Sequence, residues 1–462
     1  LTTVASGTAQ AQGADPARSV SAVHPTPTRL KVFLYAIWVV SALLLFVGLE
    51  AVNKADEALK KVGEDTAPSI IAAQEISTSL ANLDANVGNY LLVLTMSQQA
   101  QAEKDVEVER ARLTQKLITA ARNITEDGEY TQVVLLVDGL GRYLESFGEI
   151  RRRKDTGDGN GAIDRYLEAS DFMHQRLLPA SEALDQVNAA SLDRAYKGHQ
   201  AASDGIALVS SIVGGCLLAV LVYVQVFLFR VMRRVLNPPL LAATVVCFAF
   251  SAYLVTHMAM AREDLRVAKE DAFESIHALW KASAIAYDAN GDETRYLLTR
   301  SRARVFETAY RTKVAKLTSS PHHDLKSLLP RPPQDFNGLF ADELRNITFA
   351  GEGEAALAMV QAFAKYDTVD GQIRQLEAKD NNHAAAVALC VGTGANESNG
   401  LFAAFDTALK HVIKINKDQF DRKVNAGRQS VALAWVLSPI ASLAIALLAY
   451  LGIRARLREY EV

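Results

Sequence analysis

Residues 206–229 read IALVSSIVGGCLLAVLVYVQVFLF, residues 230–239 read RVMRRVLNPP, and residues 240–258 read LLAATVVCFAFSAYLVTHM. The first and third of these are uncharged apolar runs, each close to the ~20 residues that cross a bilayer as a helix. The link between them carries Arg230, Arg233 and Arg234 and ends in Asn237-Pro238-Pro239. Such a short basic link reads as a cytoplasmic turn by the positive-inside rule. The centre of the chain is therefore a membrane hairpin. The large polar segments before and after it are expected on the extracytoplasmic side.

Composition fits a few spans that carry large polar domains. The chain has 462 residues, 50% of them hydrophobic, a net charge of -3 and a mean hydropathy of +0.06. This balance gives no hint of nucleic-acid binding. Cys216 and Cys247 fall in the central spans, which leaves Cys390 alone in the polar segments, so no disulfide is expected there.

Outward from the hairpin, residues 1–31 are rich in Ala, Ser, Thr and Pro and read as a disordered cytoplasmic tail. A first span is expected over 32–49 as an uncleaved anchor, and a fourth over 430–453, followed by a basic tail, 454–462, with Arg454, Arg456 and Arg458. Residues 50–205 show helical periodicity without strand signals. Ile76, Leu80, Leu83, Val87, Tyr90 and Leu94 keep a four-three spacing, as do Tyr130, Val133, Val137, Leu140, Leu144 and Phe147. Four such segments predict an up-down-up-down four-helix bundle. Residues 259–429 repeat the plan with an irregular insertion at 317–350. Ser69-Ile70 recurs as Ser275-Ile276, Asp84-Ala85-Asn86 as Asp288-Ala289-Asn290, and Tyr90-Leu91-Leu92 as Tyr296-Leu297-Leu298. The predicted class is all-α: four transmembrane helices with two tandem extracytoplasmic four-helix bundles, internally duplicated.

Small residues in the spans mark expected close helix approaches: Ala434, Ser438, Ser442 and Ala446 in the fourth, and Gly215 and Ala219 in the second. The span interiors hold no Asp, Glu, Lys or Arg, which argues against a pump or carrier. No hydrolase elbow, phosphate loop, H-E-x-x-H or C-x-x-C appears, so no enzyme activity is expected, and no cofactor. The run Asp155–Ile163 resembles a calcium loop, yet Leu167 stands where the bidentate Glu belongs, and a helix turn is the better reading. His322-His323-Asp324 is too small a set to hold a metal alone, and Val391–Gly394 follows no strand. Asn123, Asn346 and Asn396 open glycosylation-type triplets of the kind that arise by chance.

Three groups of residues are candidates for function. Asp84, Asn86, Asp288 and Asn290 lie off the apolar stripe and suit a contact between the two bundles. Phe336, Leu339, Phe340 and Phe349 in the insertion suit partner docking, with covering of the second core as the equal alternative. Arg230, Arg233, Arg234, Arg454, Arg456 and Arg458 are the expected cytoplasmic output.

The plan of span, bundle, span resembles the ligand-sensing half of bacterial chemoreceptors, as a dimer fused into one chain, without their cytoplasmic parts. A further resemblance rests on Gly338–Phe349, Gly351–Glu354, Ala388–Gly394, Ser398-Asn399 and Ile415-Asn416. These stretches are similar to GlnX-type actinobacterial membrane signalling proteins. That resemblance implies an extracytoplasmic solute-binding lipoprotein as outer partner and a cytoplasmic protein kinase or adaptor as the receiver. The rival expectations are a direct small-molecule receptor and an envelope scaffold.

Overall fold

The computed structural model describes residues 25–93, 95–232, 237–319, 328, 332–379 and 381–460. It is 91% helical with no strand among the described residues. Arg233, Arg234 and His322-His323-Asp324 lie outside them.

The helices are α1 (Pro25–Lys60), α2 (Ala67–Leu92), α3 (Met96–Arg122), α4 (Glu129–Asp155), α5 (Gly159–Phe172), α6 (Leu178–Met232), α7 (Pro238–Arg266), α8 (Glu274–Leu298), α9 (Ala303–Leu317), α10 (Leu339–Arg345), α11 (Glu352–Ala378), α12 (His383–Val391) and α13 (Ser398–Leu457). Single π-helical turns join α1 to α2 (Lys61–Thr66), α5 to α6 (Met173–Leu177) and α7 to α8 (Val267–Phe273). Four continuous helical runs are long and apolar enough to cross a membrane: Thr26–Leu92, Gly159–Val231, Pro238–Leu298 and Ser398–Leu457.

The chain forms two compact units. One is apolar and draws on residues up to Phe46, Ile212–Ser251 and Pro439 onward. Its core includes Ile37, Leu217, Leu221, Cys247, Ile445 and Ala449. Several polar groups inside it are paired, as lipid offers them no water. Gln225 Nε2 donates to Thr244 Oγ1 at 2.8 Å, Asn237 Nδ2 to the Gly452 carbonyl at 2.9 Å, and Trp38 Nε1 to the Ala446 carbonyl at 3.1 Å. The expected small-residue contact shifts by one position. Gly215 and Ala219 are exposed, and Gly214 makes the close approach, where a Cβ would meet Ser251 Oγ at 2.6 Å. α13 runs through Pro439 without interruption.

The second unit, Val47–Ser211 with Ala252–Ser438, holds both polar segments. In the first, α2 is buried along Ile76, Leu80, Leu83, Val87 and Tyr90. The buried face of α4 differs from its expected stripe. Tyr130 is 67% exposed and Val137 52%, while Leu136 and Tyr143 are buried. Tyr143 can enter the core because its hydroxyl donates to Asp84 Oδ1 at 2.8 Å. The second segment packs Phe340, Phe363, Tyr366, Phe402 and Phe405 in one aromatic core. Asp158 is the N-cap of α5 and accepts from Gly161 N, so the calcium-like run is a helix turn.

The same local devices occur in both segments. The π turns begin at 61 and 267, and buried serines stand at 69 and 275, an offset of 206. Asn123 Nδ2 donates to Ser69 Oγ and the Asp65 carbonyl. Asn346 Nδ2 donates to Ser275 Oγ and the Asp271 carbonyl. The Asn-Ile-Thr triplets are thus structural clamps that tie a loop to a π turn. Each is followed by a left-handed glycine, Gly128 or Gly351. Next comes a buried glutamate. Glu129 Oε2 accepts from Thr125 N and Glu126 N, and Glu352 Oε2 from Thr348 N and Phe349 N. These pairs keep an offset of 223, because residues of the insertion intervene.

Losing one of these part-buried amide clamps is expected to cost about 1–3 kcal/mol. Asn123→Ala and Asn346→Ala should each lower the melting temperature of the detergent-solubilised chain. A control at the exposed Asn337 should not.

Candidate functional site

The site is the seam where α2 meets α8, the most extensive helix contact in the polar unit. Gly88 allows it: a Cβ there would lie 2.7 Å from Thr294 Cγ2 and 2.7 Å from the Tyr166 hydroxyl. On α8 the run Ala289–Leu297 is buried all round, including Asp292, Glu293, Thr294 and Arg295.

Arg295 is 2% exposed and is the largest fully buried side chain among the described residues. Its Nη1 donates to Asp84 Oδ2 of the first segment and to Ser170 Oγ at 3.2 Å. Its Nη2 donates to Asp288 Oδ1 at 3.1 Å and to Asp292 Oδ1 at 2.7 Å. Lys313 Nζ closes the far side on Asp292 Oδ2 at 2.5 Å and Asp288 Oδ2 at 2.8 Å. Asp84 also accepts from Tyr143 and from Ser170 Oγ, each at 2.8 Å. Every oxygen of the three carboxylates has a partner, as buried charge requires.

His174 supplies the third cation. Its Nδ1 lies 2.7 Å from the Ser170 carbonyl and its Nε2 2.7 Å from Asp288 Oδ1. Both ring nitrogens face acceptors, so the imidazolium satisfies both. Burial alone would push its pKa down, but the bond to Asp288 and that carboxylate's charge outweigh burial and raise it. Burial works against ionisation of Asp288 as well. Lys313, His174 and Arg295 nevertheless hold its carboxyl far below the usual carboxylate range. With His174 charged, Asp84, Asp288 and Asp292 balance Arg295, Lys313 and His174. A second contact between the segments runs alongside, where His277 Nε2 sits 2.9 Å from Asp185 Oδ1 and Lys281 Nζ 3.1 Å from Glu182 Oε1.

The opposite flank of the seam is open. A cleft of about 600 Å³ lies between α2 and α3 of the first segment and α8 and the α12–α13 turn of the second. Asn82, Asn86, Asn89, Asn290 and Asp406 line it, with Phe402 and Tyr287 as an apolar wall. Asn82 Nδ2 donates to Glu109 Oε2 at 2.9 Å, and Asn89 Oδ1 accepts from Thr294 at 2.8 Å.

Of the residues anticipated between the bundles, Asp84 and Asp288 both pair across the seam, while Asn86 and Asn290 line the cleft. The repeated Asp-Ala-Asn triplet, however, is not a matched position. It recurs at an offset of 204, while the unbroken helices α2 and α8 keep 206 between Ser69 and Ser275 and between Tyr90 and Tyr296. In that register Asp84 corresponds to Asn290 and Asp288 to Asn82.

The aromatic docking cluster needs correction. Phe336 and Phe340 are fully buried, and Leu339 and Phe349 are half-buried. Phe340 packs edge-on against Phe363, so Phe336 and Phe340 cover the second core, the alternative reading of the stretch, while Leu339 and Phe349 keep part of their surface exposed. Arg230, Arg454 and Arg458 are exposed, and Arg456 pairs with Glu459 at 2.6 Å. Sequence reasoning missed Arg295, Lys313 and His174. The available signal was a charged turn, Asp292–Arg295, set among the small residues Ala282, Ala286, Ala289 and Gly291 of α8, where an amphipathic helix should be apolar.

A family model described as an actinobacterial sensor domain matches residues 58–197, which span the first π turn, α2–α5 and part of α6. No curated protein and no solved structure matches the chain. The four apolar helical runs and the sensor-domain match make this a helical membrane protein with a sensing or signalling role.

Arg295→Met should destabilise the polar unit by about 3–5 kcal/mol, because it strands buried carboxylates. Asp84→Leu/Arg295→Met should be less destabilised than Arg295→Met in thermal unfolding. The folded-state pKa of His174 is raised, so its contribution is complete below about pH 6.5 and is lost as pH rises through the folded value. His174→Gln should flatten that decline in stability, read as melting temperature against pH.

Proposed function

We propose that the chain is a transmembrane signal transducer whose input is the arrangement of the α2–α8 seam. The observation that carries this reading is the buried ionic cluster at the seam. It lies on helices whose continuous runs, Thr26–Leu92 and Pro238–Leu298, also contain apolar spans. A packed, fully paired cluster has discrete arrangements, so a shift at the seam moves whole helices by a step. The matched clamps and π turns support reading the two segments as copies of one unit. The polar unit is then extracytoplasmic, and Arg230, Arg454, Arg456 and Arg458 face the cytoplasm by the positive-inside rule.

On this reading a solute-binding lipoprotein meets the polar unit outside, and a cytoplasmic protein kinase or adaptor takes the output inside. The resemblance of Ala388–Gly394 and Gly338–Phe349 to GlnX-type proteins supports that pair of partners. Capture of the chain from native membranes after crosslinking should recover one partner from each side. Replacing Arg454, Arg456 and Arg458 by Gln should lower recovery of the inner partner and leave the outer one. Recovery of neither partner from intact membranes would sink the transducer reading. The open cleft favours a second input, a small molecule bound directly at the seam.

A further inference from the structure

The two flanks of the seam are built from matching positions, yet one is closed and the other open. At the offset of 206, Asn82, Asn86 and Asn89 of α2 correspond to Asp288, Asp292 and Arg295 of α8, and Asn290 corresponds to Asp84. The buried residues Ala102, Val106 and Leu113 of α3 and Phe306, Tyr310 and Leu317 of α9 keep an offset of 204, which matches Glu109 to Lys313. Leu177, Leu184 and Asn188 match Phe405, Val412 and Asn416 at 228, which sets Phe402 opposite His174. Each charged member of the closed cluster other than Lys313 thus has a neutral counterpart on the open flank. The closed flank is filled by a guanidinium from the chain itself. The open flank keeps a cleft of about 600 Å³ at the corresponding place.

The lining of the open cleft is selective. Among the described residues it contains Asp105, Glu397 and Asp406 and no Lys, Arg or His. Asp406 Oδ1 is shielded from solvent and interacts with the Tyr287 hydroxyl. Its other oxygen takes Lys410 Nζ at 2.6 Å from the rim. Burial first, and then the Asp406 charge, push the Tyr287 phenol up, so it stays neutral beside that carboxylate. The Asn86 side chain makes no hydrogen bond to the other described residues, whereas its counterpart Asp292 binds both Arg295 and Lys313. Tyr287 and Phe402, edge to face at 4.8 Å, add aromatic faces that attract cations. Apart from Lys410, which is already paired with Asp406, free anions find no counter-charge among these groups.

We propose that this cleft is a binding site for a small organic cation, an amine or guanidine with several hydrogen-bond donors, which takes the place that Arg295 fills on the closed flank. The proposal rests on the sensor reading for its consequence, since such a ligand would bridge α2 to the α12–α13 turn. The binding step itself stands alone.

Titration calorimetry on the full chain in nanodiscs tests it, with agmatine and putrescine as probes and succinate as the anionic control. Agmatine should bind saturably and succinate should not. Asp406→Asn should weaken agmatine at least tenfold. Asn86→Asp/Asn89→Arg, which copies Asp292 and Arg295, should abolish agmatine binding and raise the melting temperature. Absence of cation binding to the unaltered chain would overturn the proposal, as would preference for succinate or unchanged affinity in a folded Asp406→Asn variant. If agmatine fails while both partners are still captured from membranes, the cleft assignment falls and the transducer reading survives. The reverse result removes the transducer reading alone.

Discussion

A guanidinium removed from water is tolerable only when its charge is matched and all its donors are used. Arg295 meets that condition through carboxylates from two segments: Asp288 and Asp292 on its own helix and Asp84 from α2. Neither segment can satisfy the cluster alone. Without α2 and the π turn before α6, the second segment would bury Arg295 lacking Asp84 and His174. Without α8, Asp84 would keep its hydroxyl partners but lose its counter-ion. The two segments therefore fold as one body, and Gly88 lets the helices come close enough for the pairs to form.

The clamps show a different economy. Asn123 and Asn346 each use one side-chain amide to bind a serine hydroxyl and a carbonyl at a π turn. π turns leave backbone groups out of the regular ladder, and a donor from a neighbouring loop satisfies them. The same device at both segments keeps the entry of α2 and of α8 alike, so both helices reach the seam in the same register. From a common register the flanks then diverge through side chains alone. On one flank the residues are long and charged and fill the space. On the other they are short amides and leave a cleft. The α12–α13 turn contributes to that opening, where the first segment instead continues from α5 through a π turn into α6.

Much of the architecture was legible in the chain itself. Apolar runs of span length, basic flanks and four-three spacing on α2 report local chemistry, which a linear reading captures well. The seam was half legible: Asp84 and Asp288 drew attention because an Asp-Ala-Asn triplet recurs in both segments, off the apolar stripe. Their partners did not, because Arg295 and Lys313 look like ordinary helix-surface cations until both faces of α8 are covered. Phe336 and Phe340 illustrate another limit. Aromatic side chains in a Pro-rich stretch suit partner docking or core covering equally, and both of these rings lie in the second core.

Local periodicity and hydropathy depend on a few neighbouring residues, so the sequence by itself determined the all-helical class and the four helices long and apolar enough to cross a membrane. Which charges are buried depends on approach between positions more than 200 residues apart, such as Asp84 and Arg295. Only the tertiary structure decided that. Desolvation is a property of the assembled seam, and it turned matching helix positions into a closed ionic cluster on one flank and an open polar cleft on the other.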